Sequence, residues 1–214
     1  MSDRAVPWWA LGSSAAAPVL LIGGWTIAQS RRAASVDPLR DSISALAALG
    51  ATDRWIMTAA LAAVGVCHMV TGLGLSTSAS PGRAVLAVGG LATVLVAALP
   101  LPSGAHGVAA AVAFGALAVW PALSSGGARP SDVMPLVVTA VLVLLLGWFV
   151  VELAVDGRIG LAERCAAGAQ ALWPFVAVLR ATRRGQRAIR RRASRARAAS
   201  EGRAAPPRRS GGAP

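Results

Sequence analysis

The 214-residue chain is 55% apolar and 14% charged, with a formal net charge of +12 and a mean hydropathy of +0.60. Soluble domains carry about 25% charged residues, so the composition excludes an ordinary water-soluble enzyme as the leading class. All 21 basic residues are Arg, and 12 of them lie from Arg180 to Arg209 beside a single acid, Glu201, so a nearly neutral membrane body (1–180) is followed by a basic tail (181–214).

A helix crossing about 30 Å of hydrocarbon needs roughly 20 apolar residues at 1.5 Å each. The first such run is Val6 to Ala28, with Pro7 in its first turn, where a missing N–H is harmless, and Gln29, Ser30, Arg31 and Arg32 after it. It exceeds the apolar length of a secretory signal and contains Pro18 and Trp25, so it is expected to stay as a span.

The next stretch, residues 33–54, reads AASVDPLRDSISALAALGATDR. Asp37 before Pro38 is a capping residue followed by a first-turn proline, and Gly50 supplies a stop, which predicts a short helix from Pro38 to Leu49. Leu39, Ile43, Leu46 and Leu49 share one face, with Arg40, Asp41 and Ser44 turned away. Such an amphipathic helix would seal the outer end of a bundle; the functional alternative makes Asp37, Arg40 and Asp41 the rim of a pocket.

Further runs follow at Trp55 to Leu75, Arg83 to Leu99, Ala105 to Leu123, Asp132 to Leu153 and Ile159 to Leu179. The loop Ser76 to Gly82 holds a Ser-Pro-Gly turn signal, and Ser124 to Ser131 is a Gly/Ser/Pro linker. The last run is the weakest, because Glu163 and Arg164 fall in its first turns, where their heads can reach the interface. The fold class is thus all-α: a polytopic bundle of six transmembrane helices with a short amphipathic helix in the first outer loop. A five-span arrangement, with the last run lying in the interface, is the rival.

The tail has no aromatic residue and almost no apolar bulk, so it is expected to be disordered and held against anionic inner-leaflet lipids, with no nucleic acid expected. Arg residues next to a span resist translocation, which puts the tail and, with an even span count, Met1 in the cytoplasm. The short loops point the other way, with more Arg outside than inside, and the tail outweighs them. The Ala-, Gly- and Arg-rich, Lys-free composition points to a bacterial source, hence a multi-pass protein of the bacterial plasma membrane.

Together, DPLRDSISALAALG with DRW, His68 within GVCHMVTGLGL and PLPSGAHGVAA from Pro100 resemble a bacterial integral membrane family, domain of unknown function 998. The resemblance covers roughly residues 10 to 180, leaves out the basic tail, and implies a six-helix membrane protein with no assigned chemistry.

Ionisable groups inside spans are costly and mark functional candidates. His68, His106 and Glu152 qualify, with Asp132 and Glu163 at span ends. His68 lies about 20 Å inward from Trp55 at 1.5 Å per residue, too deep to share a metal with His106 or Glu152, whose ligands must converge within about 2 Å. That leaves one outer polar cluster, Asp37, Arg40, Asp41, His106 and Glu152, and one intramembrane polar residue, His68. Cys67 and Cys165 show no paired spacing and read as small buried thiols. Trp8, Trp9, Trp55, Trp120, Trp148 and Trp173 fall near span ends and read as headgroup-level anchors. No catalytic residue, metal or cofactor is expected, and the oligomeric state is open. The leading reading is a non-enzymatic membrane protein that senses, scaffolds or binds lipid. A small-solute or proton-coupled transporter is second, and a membrane-embedded metal-dependent hydrolase third.

Overall fold

The computed structural model describes residues 6–32, 37–125 and 133–204. Asp132 and the tail from residue 205 lie outside the described residues. The elements are α1 (Trp8–Ser30), α2 (Ile43–Leu46), α3 (Trp55–Gly74), α4 (Ser80–Ala98), α5 (Gly104–Leu123), α6 (Met134–Ala154) and α7 (Ile159–Ala204), with no strand among the described residues. Of these, α1, α3, α4, α5 and α6 are long and apolar enough to cross a membrane. Each follows its predicted run closely. The most displaced start is that of α4, which takes Ser-Pro-Gly as its first turn, not as a loop, because proline's fixed φ suits a helix start.

Successive long helices pack on one another, and α7 closes the series by packing against both α6 and α1, so the six form a ring in the order α1, α3, α4, α5, α6, α7. Two apolar clusters stack along it. One, near α2, joins Leu21, Ile43, Leu46, Met57, Leu61, Val96 and Ala171. The other, at the far end, joins Leu75, Leu86, Leu117, Trp120 and Val178. The tightest crossing is α3 on α4. A β-carbon at Gly65 would overlap the Gly90 carbonyl oxygen, and one at Gly90 the Gly65 carbonyl; small residues permit this approach between helices in lipid. Arg83, in the first turn of α4, donates from Nε to the Gly72 carbonyl and from Nη2 to that of Leu73, both at 2.9 Å, capping α3 across the short loop.

Trp8 and Trp55 are 84% and 66% exposed at the starts of their helices. Trp120 departs from the expectation of a headgroup-level anchor. It is 1% exposed and sits in the far-end core with Leu86 of α4 and Val178 of α7, because its helix turns that face inward and not toward lipid. A larger departure is α7. The Arg-rich stretch expected to be disordered continues the helix from residue 180 through Ala204. Ala and Arg are strong helix formers, no proline intervenes between Pro174 and Pro206, and the helix enters the stretch already nucleated by its packed half.

Candidate functional site

The loop between α1 and α3 is built from two successive local caps. Asp37 Oδ1 accepts from the Leu39 N–H at 2.9 Å, and Asp41 Oδ2 accepts from the Asp37 N–H at 2.9 Å. Ser42 then caps α2, accepting from the Ala45 N–H at 3.0 Å. The predicted helix from Pro38 to Leu49 is therefore a turn followed by one helical turn, Ile43–Leu46, because Ser42 restarts the chain where Asp37 was expected to start it. Of the predicted apolar face, Ile43 and Leu46 are buried, while Leu39 and Leu49 are 48% and 60% exposed. Gly50 ends the segment with φ +84°, a left-handed conformation that suits glycine.

The first turns of α7 hold this lid in place. Glu163 is 4% exposed and accepts from the Ile43 N–H at 2.5 Å and from Ser44 Oγ at 3.1 Å. With Ser42 on Ala45, two free N–H groups of a one-turn helix are satisfied. Beside it, Arg164 Nη1 donates to the carbonyls of Pro38, Asp41 and Gly160 at 3.0, 2.8 and 2.8 Å. Its guanidinium lies 6.0 Å from the ring centroid of Trp25, within range of a cation–π contact. The Leu161 N–H donates to the Leu39 carbonyl at 3.1 Å. Gly160 has no room for a side chain, since a β-carbon there would meet the Asp41 and Pro38 carbonyls. Sequence reading put the heads of Glu163 and Arg164 at the interface. Instead Glu163 turns inward and Arg164 grips the lid, because the lid offers backbone donors to one and carbonyls to the other.

Beneath the lid lies a cavity of about 60 Å³, whose polar lining is Ser44, His68, Thr93, Glu163 and Gln170 among apolar side chains of α1, α3, α4, α5 and α7. By helix rise, Glu163 sits about 6 Å and Gln170 about 16 Å below the start of α7, and His68 about 20 Å below that of α3. The cavity thus runs from under the lid to mid-bundle. That volume holds a few water molecules or the end of one acyl chain. His68 is 1% exposed, and its Nδ1 is buried with no hydrogen-bond partner. Gln170 donates from Nε2 to the Phe114 carbonyl at 3.0 Å, and Thr93 Oγ1 to the Gly89 carbonyl at 2.8 Å.

The predicted outer residues serve separate local roles. His106 is buried and pairs through Nδ1 with the Leu99 carbonyl at 2.8 Å, joining the end of α4 to the start of α5. Glu152 accepts from Trp148 Nε1 at 2.9 Å and from the Arg158 N–H at 2.5 Å, which shapes the turn into α7. Asp37 and Asp41 cap the lid loop, and Arg40 is exposed on it. Among the described residues, no three His, Cys, Asp or Glu side chains form a group that could hold a metal ion. Cys67 and Cys165 are free and half-buried. Sequence reading counted Glu163 among the ionisable groups at span ends but not as a cavity residue, and missed Gln170. The available signal was their spacing, seven residues apart on one face of α7; Gln170 escaped because it does not ionise.

No curated protein and no solved structure matches the chain. A family model does, over residues 15–198, and so takes in most of the Arg-rich helix that the resemblance by motif had left outside. On that match, the chain belongs to the family described as protein of unknown function (DUF998).

Proposed function

We propose that the protein is a non-enzymatic component of the bacterial plasma membrane that binds, and thereby senses, a small amphiphile or lipid chain in the cavity beneath the lid. The observation carrying this reading is that His68, Glu163 and Gln170, from two helices, line one cavity inside an otherwise apolar ring. A concave, mostly apolar site with a few convergent polar groups is the usual form of a ligand pocket. Native mass spectrometry of the full chain, extracted in mild detergent, tests it. A co-purifying small ligand should be retained by the wild type and lost in His68→Leu and Gln170→Leu; retention in both variants, or no ligand on the wild type, would refute it.

A second reading, proton-coupled transport of a small solute, is favoured by a buried carboxyl at the lid end and a buried imidazole at mid-depth of the same cavity. Proteoliposomes under an imposed pH gradient would then acidify measurably, and His68→Ala would abolish the flux with folding intact.

For topology, residues 159–179 of α7 serve as a sixth crossing in this proposal, with both termini cytoplasmic. The support is that this half of α7 fills the gap between α6 and α1 and reaches the far-end core at Val178. Arg180, Arg183 and Arg184 then stand at the inner headgroups, where anionic lipids attract each by about 1 kcal/mol. A cysteine reporter fused after Pro214 should resist impermeant reagents in intact cells; labelling from outside would reverse the orientation.

A further inference from the structure

Beyond the bundle, α7 presents two unlike faces to solvent. At 100° per residue, Arg183, Arg187, Arg190, Arg191 and Arg195 fall within about 140° of the circumference, all exposed. Ala181, Gly185, Ile189 and Ala193 occupy the opposite side, continuing the stripe that packs into the ring at Pro174 and Val178, and Arg192, Thr182 and Gln186 share that side by register. Ile189 is 60% exposed, and a β-carbon at Gly185 would touch nothing.

The bilayer is a poor ligand for the far part of this stripe. Val6 and Ala181 flank the same core cluster, one turn from the exposed Trp8, which fixes the headgroup level near Arg180. Arg190 lies about 15 Å and Arg195 about 22 Å further along an unbroken helix. Screening limits surface attraction to about 8 Å at physiological salt. Single-stranded nucleic acid wants aromatic stacking platforms, and the segment has none. A duplex groove places phosphates on both flanks of an inserted helix, whereas the five exposed Arg residues of the stripe serve one flank and, from residue 183 to 195, only Arg192 lies opposite by register. Arg183 with Arg187, Arg187 with Arg191, and Arg191 with Arg195 are like charges at i,i+4, which disfavour the bare helix and are relieved by carboxylates at matching spacing.

We propose that the projecting half of α7 is the docking site for an acidic helical segment of a partner protein, which lays carboxylates along the Arg stripe and packs its edge toward the Ala/Gly side. The test uses the full chain in phosphatidylcholine nanodiscs and a synthetic helical peptide with Glu at i, i+4, i+7, i+8 and i+12, the spacing of Arg183, Arg187, Arg190, Arg191 and Arg195. The control is a peptide of the same composition with Glu on every face. The matched peptide should bind about tenfold tighter or better, a difference of about 1.4 kcal/mol. The triple variant Arg187→Glu, Arg191→Glu, Arg195→Glu should lose that binding and prefer the peptide with Lys in place of Glu. If circular dichroism shows the triple variant losing helix, Arg191→Glu alone should still weaken the matched peptide more than the control. Equal affinity for the two peptides, tighter binding of a short DNA duplex, or loss of matched binding when the discs carry phosphatidylglycerol would each overturn the proposal.

Discussion

A carboxyl group placed inside an apolar bundle needs hydrogen-bond donors, and Glu163 finds two in the Ile43 N–H and Ser44 Oγ. Removing it leaves a buried backbone donor unpaired, so Glu163→Ala should destabilise the protein by about 1–3 kcal/mol in detergent thermal melts, with Glu163→Gln recovering part of the loss through its remaining acceptor. His68 predicts the opposite separation of stability from function. Its Nδ1 is buried without a partner, so His68→Leu should leave the melting temperature unchanged or raise it while ligand binding or proton flux is lost. A large drop in melting temperature would make His68 a structural residue. His68 is conspicuous in the sequence because it ionises in mid-span. Glu163 stands out only as a charge at a span end, and nothing in its local sequence reveals that residues 119 and 120 positions earlier supply its donors.

The lid with the first turns of α7 covers one end of the cavity. Arg164 ties three carbonyls through one nitrogen, and Arg164→Ala should speed hydrogen exchange at the Ile43 and Ala45 amides while exchange in α3 and α4 stays slow. Gly160→Ala should do the same by steric force, costing about 1–3 kcal/mol, because the atoms it meets are backbone and cannot rotate away. On the other side of the ring, Gly65→Leu should destabilise the α3 and α4 pair by a similar or larger amount, read as a lower melting temperature without change in lid exchange. The existence of a short polar helix after α1 was legible from Asp37, Pro38 and Gly50. Its length was not, because Ser42 competes with Asp37 as the cap, and the choice is decided by Glu163 on a distant helix.

At the scale of the whole molecule, hydropathy alone locates the long helices to within a few residues, since lipid permits little else than a run of apolar residues with all backbone groups paired internally. It does not reveal the ring order, which depends on α7 returning to α1, nor that α7 keeps its helical path through the Arg-rich segment, where composition argues for disorder and propensity for helix. The central claim is that the ring encloses a mostly apolar cavity with a few convergent polar side chains, covered at one end by the lid. The most direct measurement is thiol labelling of Gln170→Cys, in a Cys67→Ala, Cys165→Ala background, by a small water-soluble reagent in nanodiscs, with and without Arg164→Ala. Releasing the lid should speed labelling about tenfold, the effect of roughly 1.4 kcal/mol on local opening. A rate indifferent to Arg164, with Gln170→Cys already labelled as fast as an exposed cysteine, would contradict the account.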